Sequence, residues 1–184
     1  MKHNGTKKLE TERLILRRFK LSDAKDMFEN YARKENVTRY LTWETHKSIS
    51  DSQDYLNNIV LPAYKTEDCY RWAIVWKETN SVIGAIDVVK NESEKKRAEI
   101  GYVLSDDFWG KGIMSEAGKK VVEYLFNEGY ERVQAKHFSE NAKSGRVMQK
   151  IGMKHEGTLR KYAYYWWDNE NLQDIDVYSI IKGD

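Results

Sequence analysis

The sequence predicts a mixed α/β domain: a twisted, mostly antiparallel sheet flanked by helices on both faces. Three observations carry this. Strand-like runs follow one another between residues 70 and 105 with no helical pattern between them, which disfavours a purely parallel, doubly wound sheet. A single strand–glycine loop–helix–strand unit then spans residues 97–138. Apolar residues at helical spacing occur before and after that run, so helices are available to cover both faces.

The elements follow in order. Residues 13–19 (RLILRRF) read as an opening strand, with Leu14 and Leu16 on one face. Ser22 stands where an N-cap belongs, ahead of a stripe of Ala24, Met27, Phe28, Tyr31 and Ala32. A second helix is expected over residues 49–64, with Tyr55, Leu56, Ile59 and Val60 as its apolar residues. Residues 70–77 (YRWAIVWK) and 81–89 (SVIGAIDVV) flank Glu78-Thr79-Asn80 as a hairpin. Residues 97–105 (RAEIGYVLS) form a strand, residues 106–112 (DDFWGKG) a loop. A helix then runs to about residue 127, with Met114, Ala117, Val121, Val122 and Leu125 on one side and Gly129 as its stop. Residues 131–138 read as a strand and 141–151 as a helix ended by Gly152. Two strands, over 153–166 and 172–182, close the chain.

Bulk properties bound the function. The 184 residues suit one domain, 1–184, with its core over about 9–181. Apolar runs are too short to span a membrane, and residues 1–8 lack the apolar centre of a signal peptide. Cys69 is the only cysteine, so no internal disulfide forms and a cytoplasmic setting is expected. A net charge of +2 without a basic run gives nucleic-acid binding no support. Six tryptophans and twelve tyrosines imply an aromatic core or an aromatic binding surface.

The central motif is Trp109-Gly110-Lys111-Gly112-Ile113-Met114-Ser115, between a strand and a helix. A helix start carries unpartnered amides and partial positive charge, and glycines let a bulky anion approach them. Three readings compete. The first is an ordinary tight turn. The second is a dinucleotide site, weakened because Ser115 replaces the third glycine of GxGxxG and no acidic residue ends the following strand. A Walker loop is absent. The third is a pyrophosphate loop of another kind, to which Lys111 adds charge at the rim.

The stretch AEIGYVLSDDFWGKGIMSEA resembles the strand, loop and helix of the GNAT N-acetyltransferases, especially the RimJ/RimL type that acetylates ribosomal-protein N-termini. In that superfamily the loop reads Gln/Arg-x-x-Gly-x-Gly/Ala; here Trp109, Gly112 and Met114 fill the three slots. The run from Asn141 to Met153 is similar to the family's N-x-x-S-x-x-V-x-x-K-x-G-F/M. The resemblance covers about residues 9–181 and implies the GNAT fold, acetyl-CoA as cosubstrate and no metal. It implies that the backbone of Tyr102, Val103 and Leu104 pairs with the pantetheine arm and polarises the thioester carbonyl. It implies that residues 109–115 hold the pyrophosphate. Asn141 caps a helix, touches the pantetheine, or both. Lys143 and Arg146 approach the 3′-phosphate or form a solvated helix face.

For the base, Glu99 is the first candidate, beside the structural alternative of a carboxylate paired with Arg97 or another cation. Many GNAT enzymes place a tyrosine where this chain has Met148; the RimJ/RimL branch offers a serine, here Ser144, to protonate the leaving thiolate or simply to make room for the cofactor. A glutamate that some members carry in the penultimate strand falls near Ala163. Tyr40, Trp43, Glu44 and Tyr164, with Tyr162, Tyr165, Trp166 and Trp167, are candidates for an acceptor groove, since aromatic faces and carboxylates attract ammonium groups. Packing is the alternative for much of that cluster. The acceptor is any amine-bearing molecule, from a protein N-terminus to a polyamine; a homodimer is expected by analogy. The rival functions are a noncatalytic acyl-CoA-binding domain, a nicotinamide-dependent oxidoreductase and, last, a nucleic-acid-binding module.

Overall fold

The computed structural model describes residues 1–184. The strands are β1 (Leu9–Glu10), β2 (Leu14–Arg17), β3 (Arg71–Trp76), β4 (Ser81–Glu92), β5 (Arg97–Leu104), β6 (Arg132–Phe138), β7 (Lys154–Tyr165) and β8 (Asp168–Ile181). They form one eight-stranded sheet in the order β1-β2-β3-β4-β5-β6-β8-β7. Every neighbouring pair is antiparallel except β5 with β6, which the long helix α5 (Ile113–Glu128) connects.

Alternation along β3 shows why the sheet is covered twice. Trp72 and Ile74 belong to one core, Ala73 and Val75 to the other, and all four are fully buried. The larger core gathers Leu14, Leu16, Trp72, Ile86 and Ile100 against α5 and α6 (Ala142–Ile151). The smaller one lies under the N-terminal helices α1 (Ala24–Met27), α2 (Glu35–Thr38), α3 (Ile49–Tyr55) and α4 (Leu61–Ala63). Each fully buried aliphatic side chain contributes roughly 1.5–3 kcal/mol. The Trp72 indole is satisfied by the Lys7 carbonyl at 2.7 Å, which ties the N-terminal strap across β3.

Local expectations are corrected in four places. Ser22 caps nothing; the Asp23 carboxylate instead accepts the Lys20 amide (2.8 Å) and is braced by Arg17 (2.7 Å). Two of the N-terminal helices widen, α1 over Phe28–Ala32 and α3 over Leu56–Val60. That added turn leaves Leu56 and Val60 buried and turns Ile59 outward, 54% exposed. β4 continues to Glu92, past a register shift at Val88/Lys90. β7 is an irregular edge strand with register shifts, and Tyr162 and Tyr164 are exposed rather than packed.

Candidate active site

A parted pair of strands opens the site. β5 and β6 pair only from Arg97↔Arg132 to Ile100↔Ala135; β6 then continues on β8 alone. The Ser105 amide donates to Ile83 of β4. Alternation therefore points the Val103 backbone at β4 and turns that of Tyr102 and Leu104 toward the gap. The Leu104 carbonyl accepts the Trp109 indole there at 2.9 Å.

The gap belongs to a cavity of about 670 Å³ lined by Tyr102, Val103 and Leu104. Residues 109–115 supply the next wall. Gly110 and Gly112 hold φ of 77° and 74°, which an L side chain adopts only under strain. A Cβ on Gly110 would meet nothing within 4 Å, and one on Gly112 only the Arg13 guanidinium at 3.8 Å. The first helical bond of α5 runs from the Glu116 amide to the Gly112 carbonyl (3.0 Å), so the amides of Ile113, Met114 and Ser115 have no backbone partner. Glycines with open space beside them and three free amides make a cradle that fits a pyrophosphate.

A clamp that sequence reasoning missed holds this loop. The Glu116 carboxylate accepts Thr11 Oγ1 (2.5 Å), the Arg13 amide (3.0 Å) and Arg13 Nε (2.7 Å). Arg13 Nη1 donates in turn to the Lys111 carbonyl at 3.1 Å. Burial pushes the Glu116 carboxyl up, but these bonds outweigh it and hold it below the usual range. An acidic residue in the first turn of a helix was the available signal.

α6 forms the opposite wall. Asn141 caps it, accepting the Ser144 amide at 3.4 Å, and also lines the cavity. Ser144 Oγ lies 2.8 Å from the Tyr102 hydroxyl, which also reaches the Ser144 carbonyl at 3.0 Å. Burial pushes the Tyr102 hydroxyl well above its ordinary range, so it is protonated at neutral pH. Lys143, Arg146 and Lys150 line the cavity from one helix face, with Lys143 4.0 Å above the Trp109 ring. Lys111 does not line it; its ammonium sits over Phe108 at 5.3 Å.

Other sequence candidates disperse. Glu99 lies outside the cavity lining, held by Gln134 Nε2 (2.7 Å) and Lys136 Nζ (3.0 Å), while Arg97 is taken by Glu92. Tyr40 lines the cavity, packed on Tyr165 and Phe138. Trp166 and Trp167 donate their indole hydrogens to the Thr38 and Arg39 carbonyls (3.1 and 3.0 Å), so they fix the α2 tail that closes the cavity. Trp43 lies in a separate, smaller cavity. Glu44 and Tyr164 are exposed and line neither. No three His, Cys, Asp or Glu side chains gather as a metal site, and no helix is long and apolar enough to cross a membrane.

A helix-start anion cradle beside a parted strand edge suits a phosphate-bearing donor laid along the sheet. Residues 13–154 match the acetyltransferase (GNAT) domain family, and the chain belongs to that family. It is 37% identical over 175 residues to the uncharacterized N-acetyltransferase YoaA of Bacillus subtilis (strain 168), covering 95% of this chain and 96% of the relative. A ribosomal-protein-serine acetyltransferase of Escherichia coli (strain K12) is 29% identical over 109 residues, 59% of each chain. The crystal structure of a GNAT-family acetyltransferase from Bacillus anthracis matches with a TM-score of 0.82 at 26% identity, covering 97% of this chain and 100% of that one. The enzyme is an N-acetyltransferase with RimJ/RimL-type relatives, and the nicotinamide reading of the glycine loop falls away.

Proposed function

We propose that the enzyme transfers acetyl from acetyl-CoA to a primary amine, with a protein N-terminal amine as the first candidate acceptor. The observation that carries this is the cradle of Gly110, Gly112 and the amides of Ile113, Met114 and Ser115, opening onto the gap beside Tyr102 and Leu104. Acetyl-CoA supplies an acetyl group activated as a thioester. Around it, the α5 amides and the α6 cations Lys143, Arg146 and Lys150 offer positive potential to phosphates. Asn141 and the parted backbone of Tyr102 and Leu104 offer hydrogen bonds to an amide-bearing arm. Ser144 Oγ holds a proton at the cavity wall and can pass one from solvent to the departing thiolate, while the Tyr102 hydroxyl 2.8 Å away positions it. The ribosomal-protein relative supports a protein acceptor, as does an aromatic wall at Tyr40.

Titration calorimetry with acetyl-CoA, with NAD as control, tests the donor; thiol release with seryl- and alanyl-initiated peptides, spermidine and an aminoglycoside then tests the acceptor. Binding of acetyl-CoA alone, with turnover of a peptide, is the expected result. Absence of acetyl-CoA binding would overturn the proposal.

A further inference from the structure

A second cavity, of about 40 Å³, lies under the N-terminal helices, on a face of the sheet that the first cavity also reaches at Val37 and Val103. Val103 lines both cavities, so the small one abuts the strand on which the proposed donor rests. Its remaining wall includes Tyr31, Trp43, Tyr55, Arg71 and Asp87. Two polar atoms here are buried and without partners: Asp87 Oδ1 and the Tyr31 hydroxyl. Asp87 Oδ2 is engaged by Arg71 Nε at 3.0 Å, and Tyr31 is 1% exposed. Buried polar groups are almost always satisfied, and leaving one bare costs roughly 1–3 kcal/mol. Both residues line the same small space, which therefore suits a hydrogen-bonding guest.

We propose that the Asp87–Tyr31 cavity receives the amine head of the acceptor, making Asp87 a residue that binds the acceptor directly. The inference rests on the acetyltransferase reading above and names the acceptor subsite within it. An ammonium brings N–H donors for Asp87 Oδ1 and the Tyr31 oxygen, which no apolar group does. The rings of Tyr31, Trp43 and Tyr55 supply π-faces that favour a cation. Asp87 and Arg71 already neutralise each other, so the added charge meets a polarised but uncharged wall. The volume admits the nitrogen of a primary amine and little more, so the rest of the acceptor stays outside it and a quaternary head is excluded. Burial, opposed by Arg71, lifts the Asp87 carboxyl to about 6, a better proton acceptor than an ordinary carboxylate. Transfer of one proton from the ammonium to Oδ1 breaks an N–H bond and forms an O–H bond. The amine keeps the lone pair needed for attack, and the protonated carboxyl later releases its proton to solvent.

The test measures thiol release from acetyl-CoA with ethylamine and with a hexapeptide bearing a free seryl N-terminus, in the wild type, Asp87→Asn and Tyr31→Phe. Calorimetric acetyl-CoA binding and thermal unfolding accompany each. The expected result is unchanged acetyl-CoA affinity with kcat/KM for both amines lowered roughly tenfold or more in Asp87→Asn. Tyr31→Phe should raise the KM for amine without lowering Tm, because a hydroxyl without a protein partner holds nothing in the free enzyme. If Asp87→Asn does not fold, Tyr31→Phe decides alone. Wild-type kcat/KM in the folded variants overturns the proposal. So does a wild type that binds acetyl-CoA but turns over neither amine faster than it hydrolyses the thioester. A wild type that does not bind acetyl-CoA overturns the parent reading, and this one with it.

Discussion

Ser144 and Tyr102 form a hydroxyl pair on the cavity wall, and each has a different share of the work. Ser144→Ala removes one hydroxyl and leaves Tyr102 its bond to the Ser144 carbonyl. Turnover should therefore fall by roughly tenfold or more, while acetyl-CoA affinity measured by calorimetry changes little. Equal turnover would reduce Ser144 to a spacer. Gly112→Asp acts at the cradle instead: it puts a carboxylate beside three free amides, at a φ of 74° that costs roughly 1–2 kcal/mol for an L residue. Acetyl-CoA binding should be lost in a protein whose circular dichroism is unchanged. Asp87 makes a separate prediction about pH. A carboxyl raised in the fold from the ordinary 3.8 to about 6 stabilises the fold below its unfolded value, and that share is lost as pH rises through about 6. The Tm of the wild type should thus decline relative to Asp87→Asn between pH 4 and about 6.5. A rising difference would show that Arg71 holds the carboxyl down.

At the scale of elements, the sheet depends on close backbone approach at β4. A Cβ on Gly84 would stand 2.4 Å from the Val103 carbonyl oxygen, and backbone cannot yield as a side chain does. Gly84→Ala should cost roughly 1–3 kcal/mol in chemical unfolding and weaken acetyl-CoA binding, because it displaces the strand that lines both cavities. Most of these elements are legible in the sequence. Alternation in YRWAIVWK and the stripe of α5 are strong local signals, and the glycines after α5 and α6 adopt the left-handed φ their positions suggest. The widened turns of α1 and α3 were not legible, since both keep a helical apolar pattern while shifting which residues face inward. The site divides in the same way. Residues 102–104, 109–115 and 141–144 are contiguous motifs, so the sequence shows them together. The Thr11–Arg13–Glu116 clamp joins positions a hundred residues apart, and Trp43 and Glu44 separate because a turn, not a pattern, sets their directions. Asp87 did leave a trace: a lone carboxylate in the apolar run SVIGAIDVV is the kind of residue whose burial calls for a reason.

At the scale of the whole molecule, the two helical layers divide the labour across one sheet. α5 and α6 present the amides and cations of the donor side; the N-terminal helices cover the small cavity of the proposed acceptor side. Ligand binding to such a folded-only site raises stability by mass action. Acetyl-CoA at about a hundred times its dissociation constant should add roughly 2.7 kcal/mol, read as a rise in Tm, and NAD should add none. The Trp166 and Trp167 indoles carry one more consequence. Each anchors a carbonyl 128 residues earlier in the chain. During synthesis at about 5–20 residues per second, the α2 tail leaves the ribosome several seconds or more before its anchors exist. The nascent enzyme can thus hold its glycine loop and most of its sheet while the wall at Tyr40 waits for the closing hairpin.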